Sequence, residues 1–558
     1  MNQRPAPASV AGTPAGFASV TPRARTRILA SIMLGIFLSI LDQTIVATAL
    51  PRIVGDVKGG DVYTWVTTVY LLTSTISIPF YGKLSDLYGR RPILLAGIAI
   101  FVLGSALSAF SQEMWQLVLF RGIQGLGAGA LVPIAMAVIG DLYSAADRAK
   151  PQSLFGVVFA LAVVIGPALG GFLTESVGWH WVFLVNVPFG ALAFAVIWRT
   201  LPSFRAGHGA IGFDWAGAAV LTAAMAALLV GLANKAHGQW IDPAVGGLVA
   251  VGAIGAIVFA IVERRSPSPI LSPRLFADPT FSGSMVASFF IAFGFYGAVV
   301  FLPLWFQIVA GVSPAQSGLQ ILPLLLGVVI SAIAAGRIVA RTGRYKAVLL
   351  VSMIVSTVGL VLLSQLSSDT PNSTLTVWML VAGVGFGPGF SVFTVVVQNA
   401  VPVESLGAAS ASLGFFRQIG GSVGLAVLGT AVSSTFRDAM PAQLASHAVP
   451  AEIASHLSRG NVDLSAVTGA GNVGQAILQA TPDAARAQVE LVLGSIVSAI
   501  GQALSIGVGA AFVIGAIAAG IALLGTLSLA DIPLRSLSRM SAETPSTSRE
   551  RILEESAS

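Results

Sequence analysis

The chain has 558 residues, of which 55% are hydrophobic and only 10% are charged. A soluble domain carries roughly 25% charged residues, so this composition excludes a large water-soluble body and places most of the chain in lipid or against other apolar helices. The formal net charge of +6 sits mainly in loops, as a membrane topology signal rather than a nucleic-acid footprint, and the absence of cysteine rules out disulfides, thiolate metal sites and a cysteine nucleophile.

Fourteen apolar stretches are long enough to cross a bilayer, which takes about 20 residues each. They lie near 29–51, 62–82, 93–111, 114–140, 152–173, 181–200, 213–233, 243–263, 281–309, 317–336, 347–365, 375–397, 406–432 and 503–529. Residues 1–28, rich in Pro, Ala and Arg, read as a disordered cytoplasmic tail. The first apolar run is too long for a signal-peptide core and stays as an uncleaved helix. Spans one to six (29–200) form one half, and spans nine to fourteen (266–530) the other. Spans seven and eight (201–265) are an inserted hairpin, followed by a proline-rich linker through residue 280. Residues 433–500 make the one long outer loop, whose stretches 440–458 and 483–500 are expected as amphipathic helices lying at the outer surface. The tail 531–558 is polar and reads as disordered.

With both termini inside, inner loops and tails hold 22 of the 30 Lys and Arg residues, outer loops hold six, and Arg121 and Arg417 lie within spans. Discounting the long outer loop leaves three outside, so the positive-inside rule places both termini in the cytoplasm of a multi-pass cell-membrane protein.

The turn Gly82-Lys83-Leu84-Ser85-Asp86-Leu87-Tyr88-Gly89-Arg90-Arg91 follows span two. A worn copy, Gly336 to Tyr345, follows span ten, the second span of the other half. Gly125-Leu126-Gly127-Ala128-Gly129 in span four is likewise echoed by Gly385-Phe386-Gly387-Pro388-Gly389 in span twelve. Such paired echoes indicate a duplicated bundle. The expected fold is an all-α polytopic membrane protein: two pseudo-symmetric six-helix halves plus the hairpin.

Asp42 is the one carboxylate well away from both interfaces, where a charge costs roughly 2.5–3.5 kcal/mol on insertion scales. Arg121 is its natural partner. Arg121, Gly125 and Gly129 share a stripe at i, i+4, i+8 with Gln124 beside it, and glycines admit close neighbours, so the stripe faces inward. An Asp–Arg pair whose access to water changes can take up and release a proton. Arg417 in span thirteen also faces inward, on a small-residue side with Gly414, Gly421 and Gly424, either toward substrate or toward helix carbonyls. In span five, Gly166/Gly170 and Pro167/Gly171 are i, i+4 pairs suited to tight, kinked packing. In the basic turn, Arg90 and Arg91 can pair with acids at the cytoplasmic surface, Asp141 foremost, and Asp86, Gly82 and Gly89 complete a latch.

An enzyme finds little support. Gly420-x-Ser422-x-Gly424 fits a nucleophile elbow only in letters, because no strand precedes it and no histidine lies within a span.

Taken together these residues resemble the major facilitator superfamily, in its fourteen-span drug:proton antiporter branch. The carriers are Leu41-Asp42-Gln43-Thr44-Ile45-Val46 through Pro51, the 82–91 loop, Arg121 with Gln124 and Gly125, the Gly166–Gly171 run, Trp179-His180-Trp181 through Pro188, and Arg417-Gln418. The resemblance implies alternating access between two halves, with Asp42 as proton site, Arg121 its modulator, and Gly82, Asp86, Gly89, Arg90, Arg91 and Asp141 as a cytoplasmic latch. It implies a substrate pocket near the midplane, for which Gln43, Gln124, Phe290, Phe293, Tyr296, Gln307 and Arg417 are candidates. The aromatics Phe289, Phe295, Trp305 and Phe306 are further wall residues or simply core. The second copy departs from the pattern, with Ala340 in place of Asp86 and Val381 near the Arg121 position. The expected activity is proton-coupled efflux of neutral or monocationic amphiphiles. The expected partners are those compounds, protons and the lipid bilayer, with no cofactor, metal or nucleic acid and a monomeric state. Export of a specific metabolite or lipid, and solute uptake, are the alternatives.

Overall fold

The structure, a computed structural model, describes residues 21–530 except 58–63, 144–148, 203–211, 236–237 and 403–404; between 451 and 488 it describes only 453–454, 474, 477–478 and 486. The two tails, 1–20 and 531–558, lie outside the described residues, and so does most of the 433–500 loop's tip.

Fourteen helices cross the bundle: α1 (Pro22–Asp56), α2 (Thr64–Tyr88), α3 (Arg90–Ala109), α4 (Met114–Leu142), α5 (Ala149–Ser176), α6 (His180–Thr200), α7 (Trp215–Asn234), α8 (Pro243–Arg265), α9 (Pro279–Val309), α10 (Leu322–Thr342), α11 (Lys346–Leu363), α12 (Asn372–Asn399), α13 (Leu406–Ser446) and α14 (Leu493–Leu527). No strand occurs among the described residues. In lipid every backbone group must find its partner inside the chain, and helices alone do this segment by segment. Prolines mark the interruptions. Pro188 offers no N–H to the Leu184 carbonyl, and α6 is broken at Val185; Pro323 similarly separates α10 from the short helix Pro314–Gln320.

Thirteen of the fourteen meet a length-and-hydropathy criterion for spanning, and α2 is the exception. Its inward side is hydroxylic: Ser74, Thr75 and Ser77 are buried. Each donates to a carbonyl of its own helix, Thr75 to Leu71 at 2.6 Å and Ser77 to Ser74 at 3.1 Å, which removes the cost of carrying them into an apolar layer.

The duplication is visible in which helices pack. In the first half α1 packs on α5 and α6, α2 on α4, and α3 on α4 and α6. In the second, α9 packs on α13 and α14, α10 on α12, and α11 on α12 and α14, the same five pairings shifted by eight helices. The halves meet along two related seams, α2 with α13 and α5 with α10. The α7–α8 hairpin rests on α2 and α13, where Leu221, Met225 and Phe259 join Ile76, Ile78, Ala411 and Phe415 in one apolar cluster.

Glycines set the register. In α4, a β-carbon on Gly125 or Gly129 would come within 2.5 Å of a carbonyl of α2 (Tyr70 or Ser74), and one on Gly127 within 2.6 Å of Gly97 in α3. In α12 the residues doing this work are Gly383 and Gly387 against α10, and Gly385 against α11. The structural echo of Gly125, Gly127 and Gly129 is therefore Gly383, Gly385 and Gly387, two residues earlier than the sequence alignment places it. Arg121 consequently corresponds to Met379 rather than Val381.

Two further expectations change. The first helix starts at Pro22, capped by the Thr21 hydroxyl accepting from the Ala24 N–H at 3.3 Å, so 22–28 are helical. Of the two stretches flanking the long loop, 440–446 continue α13 and 493–500 open α14, while 455–458 and 483–485 lie outside the described residues. α13 runs for 41 residues and α14 for 35. At 1.5 Å per residue α13 is about 60 Å long, roughly twice an apolar bilayer core. Met440, Leu444, Val449, Ile477, Val489 and Ile496 close an apolar core between the projecting ends.

Candidate functional site

Five helices of the first half place Asp42 at a buried polar centre. The carboxylate is 0% exposed, as are Arg121, Gln124 and Asn186. Asp42 Oδ2 accepts from Arg121 Nη1. Oδ1 accepts from Gln124 Nε2 at 2.8 Å and from Asn186 Nδ2 at 2.9 Å. Arg121 also donates to Gln124 Oε1 at 2.7 Å and to the Val66 carbonyl at 3.4 Å, and its guanidinium lies 4.1 Å from the centre of the Tyr70 ring. Tyr70 donates to the Ser39 carbonyl at 3.2 Å. Asn186 donates additionally to Ser105 Oγ at 3.0 Å, and Ser105 to the Phe183 carbonyl at 2.9 Å. Buried charges persist only when paired and hydrogen-bonded; here the carboxylate meets a guanidinium and two amide donors, and the guanidinium lies over an aromatic ring.

The sequence pointed to Asp42, Arg121 and Gln124, and the fold brings them together. Asn186, Ser105 and Tyr70 escaped it as ligands of the cluster. An asparagine in an apolar span is itself a signal, because its amide must find partners in lipid, but its spacing does not say which. In the second half the equivalent positions are apolar. Arg121 maps to Met379, and the matching contacts of Gly166 on Thr44 and Gly420 on Phe289 map Asp42 to Ala287; both Met379 and Ala287 are buried.

A second polar cluster lies at the face that carries the 82–91 turn. Arg90 pairs with Asp86, donates through Nε to Asp141 Oδ2 at 3.0 Å, and reaches Ser85 Oγ at 2.9 Å. Asp86 crosses to the other half, accepting from the Gly407 N–H at 3.0 Å and the Ala408 N–H at 2.7 Å at the start of α13. A carboxylate at a helix N-terminus is favoured by unpaired N–H groups and the helix dipole. Gly82 makes this approach feasible, since a β-carbon there would lie 2.9 Å from the Gly407 carbonyl oxygen. Gly89 has φ of 96°, the left-handed region open to glycine, where the chain turns between α2 and α3. Arg91 does not join: it donates to the Trp198 carbonyl on α6, within its own half.

Beside this cluster lies a bridge that sequence reading missed. Gln398 of α12 donates to the Met136 carbonyl of α4 at 2.9 Å and to Ser410 Oγ at 3.0 Å, and accepts from Gln152 Nε2 of α5 at 3.0 Å. Both glutamines are 2% exposed. This face of the bundle is thus tied across the two halves.

The other candidates fall into place unequally. Gly166 and Gly170 pack on α1, where a β-carbon on Gly170 would lie 2.8 Å from the Ile45 carbonyl; Pro167 is half-buried, and Gly171 meets nothing within 4 Å, so the second pair is not a packing pair. Gln43 is half-buried and donates to its own helix at Ser39. Gln124 is sealed in the charge cluster and Phe293 is core, its backbone pressed on Gly424, so neither lines an open pocket. Phe295, Trp305 and Phe306 are likewise core. Phe289, Phe290 and Tyr296 stay half-buried beside it. Gln307 is engaged with Ser317 Oγ at 3.0 Å near the far end of α9. Arg417 donates to the Gly389 and Phe390 carbonyls of α12 at 3.1 and 3.0 Å and lies 5.4 Å from the Phe390 ring, so in this conformation it bonds helix carbonyls.

Two pseudo-symmetric helical halves, the first enclosing a buried ion pair, define a multi-pass membrane protein built from a repeat. Comparison with known proteins gives the family. The description of the Major Facilitator Superfamily matches residues 32–425. Multidrug transporter protein MdtP of Bacillus subtilis (strain 168) is 38% identical over 436 residues, covering 76% of this chain and 80% of that one. Multidrug resistance protein 3 of the same organism is 37% identical over 411 residues, covering 73% and 80%. Among solved structures, the human organic anion transporter MFSD10 (TETRAN) superposes with a TM-score of 0.57 at 17% identity, over 91% of this chain and all of that one; at such identity the likeness speaks for the fold alone. The chain belongs to the major facilitator superfamily.

Proposed function

We propose that the protein is a proton-coupled exporter of small amphiphilic compounds, neutral or monocationic, of the fourteen-span antiporter branch, working by alternating access with both termini cytoplasmic. The observation that carries this reading is the enclosure of Asp42: a carboxylate at 0% exposure, held by donors from α4 and α6. Rocking of the two halves that admits water to this centre weakens the enclosure and so changes the proton affinity of Asp42. Motion and protonation are thereby linked.

In this conformation the basic face is the inner one and is closed. Asp86, Arg90 and Asp141 act as a latch on α13, with the Gln398–Gln152 bridge beside it. The exporting direction draws support from the names of the two Bacillus relatives. One proton suffices energetically. Each charge crossing 100 mV releases about 2.3 kcal/mol and each pH unit about 1.4 kcal/mol. Together these sustain a gradient of roughly a few hundred-fold for an electroneutral compound exchanged one for one.

The test is fluorescent-amphiphile transport in inverted vesicles under an imposed proton gradient. Wild-type protein should drive the dye into the vesicle lumen, and Asp42→Asn should insert normally yet fail to do so. Wild-type rates from Asp42→Asn would remove Asp42 from the coupling.

A further inference from the structure

Away from the central cluster, two carboxylates meet where the inserted hairpin joins the linker. Glu263, near the end of α8, is 2% exposed. Its Oε2 accepts from the Leu271 N–H at 3.2 Å and the Ile270 N–H also bonds the carboxylate, while Oε1 is buried and has no hydrogen-bond partner. Asp214 caps α7, its Oδ1 accepting from the Gly217 N–H at 2.8 Å; its Oδ2 is also buried and without a partner. The two orphaned oxygens aim at one spot. Each lies 2.8 Å from the position a β-carbon would occupy on Gly217. The absence of a side chain at Gly217 is what leaves that space to them.

The charged surroundings do not resolve the conflict. Lys83 on α2 lies within electrostatic range of both acids. Arg264 and Arg265 follow Glu263 on α8, and Arg274 sits on the short helix Pro273–Phe276 that packs against α8. Among the described residues none of these cations is within ion-pair distance of Glu263 or Asp214. Two ionised carboxylates facing each other without a donor between them repel, and each bare oxygen forfeits its hydrogen bond. One proton shared between them removes both penalties. This is the arrangement two close acids adopt when they cannot both ionise.

We propose that Glu263 and Asp214 form a second proton-binding site, in which Glu263 Oε1 carries a proton at neutral pH and donates it to Asp214 Oδ2. The site fastens the linker and α8 to the start of α7, against the end of α2 that also carries Asp86. It is independent of Asp42, which lies in another part of the fold, and it does not rest on the transport reading.

The sign of its pH dependence follows from linkage. The unfolded chain holds no proton on Glu263 at neutral pH, since a free glutamate titrates near 4.3. The folded chain binds the extra proton, so its stability falls as the pH rises. The test uses the full chain in nanodiscs, with thermal unfolding and infrared difference spectra recorded from mildly acidic to mildly alkaline buffer. Glu263→Gln keeps the geometry, its amide donating to Asp214 and its carbonyl accepting from Leu271. The wild type is expected to lose a protonated-carboxyl band and melt at lower temperature on the alkaline side. Glu263→Gln should lack that band and keep the acid-side melting temperature throughout. Asp214→Asn, which still caps α7 and offers a donor to Glu263, should flatten the profile in the same way and serves if Glu263→Gln misfolds. A band that persists in both variants, an unchanged pH slope, or wild-type stabilisation by sodium or magnesium in place of a carboxyl band would overturn the proposal.

Discussion

At the scale of the residue, the cost of a charge in the bilayer is offset by what surrounds it. Asp42 has Arg121, Gln124 and Asn186 within hydrogen-bond reach and no exposure. Asn186 is the informative member, because its Nδ2 serves both Asp42 and Ser105. Asn186→Leu should lower stability by about 1–3 kcal/mol, the usual loss when a buried polar group is left unmatched, read as a fall in melting temperature in detergent. Asn186→Asp should cost more, since it sets a second carboxylate against the first. If the aspartate variant melted with the wild type, Asn186 would not be a working ligand of Asp42. The charges in this cluster were legible because Asp42 and Arg121 stand out in apolar spans. Asn186 was not, because nothing in its local spacing says that α6 is laid against α1 and α3.

At the scale of the element, close approach is decided glycine by glycine. Gly170→Leu should disrupt the seam of α1 and α5, where even a β-carbon would lie 2.8 Å from the Ile45 carbonyl. Gly171→Ala, one position on and facing open space, should stay within about 0.5 kcal/mol of wild type. Equal melting temperatures for the two variants would contradict this assignment. The sequence pattern could not separate the pair, since both glycines obey an i, i+4 rule. The repeat in α12 shows the same difficulty. Gly383, Gly385, Gly387 and Gly389 alternate regularly, so the string aligns with Gly125–Gly129 in two registers, and contacts with α10 and α11 are needed to choose. Helix lengths misled for a different reason. The ends of α13 and α14 keep an apolar side past the bilayer because they pack on each other, and hydropathy alone reads that as a boundary.

At the scale of the whole molecule, the closed basic face depends on contacts between residues far apart in sequence. Asp86 holds the start of α13 and Gln398 holds Gln152 and Met136. Asp86→Ala should slow turnover more than it weakens substrate binding, seen as a drop in maximal rate at nearly constant half-saturation. A change in binding alone would remove the latch. Gln398→Ala should open the face, and the cysteine-free chain allows this to be measured directly. Spin labels on Tyr88→Cys and Arg344→Cys, one on each half, should report a longer-distance population in Gln398→Ala than in the parent. An unchanged distribution would mean that the bridge is incidental. The fourteen spans and the duplication were legible because lipid demands long apolar helices and a repeated basic turn survives divergence. The Gln398–Gln152 bridge was not, because it exists only once the halves are docked.

The most direct measurement is proton release on substrate binding, followed with a pH-indicator dye in weakly buffered solution of the purified protein. Substrate added to wild type should displace protons into the solution, and Asp42→Asn should release none under the same conditions. Release that is absent from wild type, or equally strong in Asp42→Asn, would contradict the account.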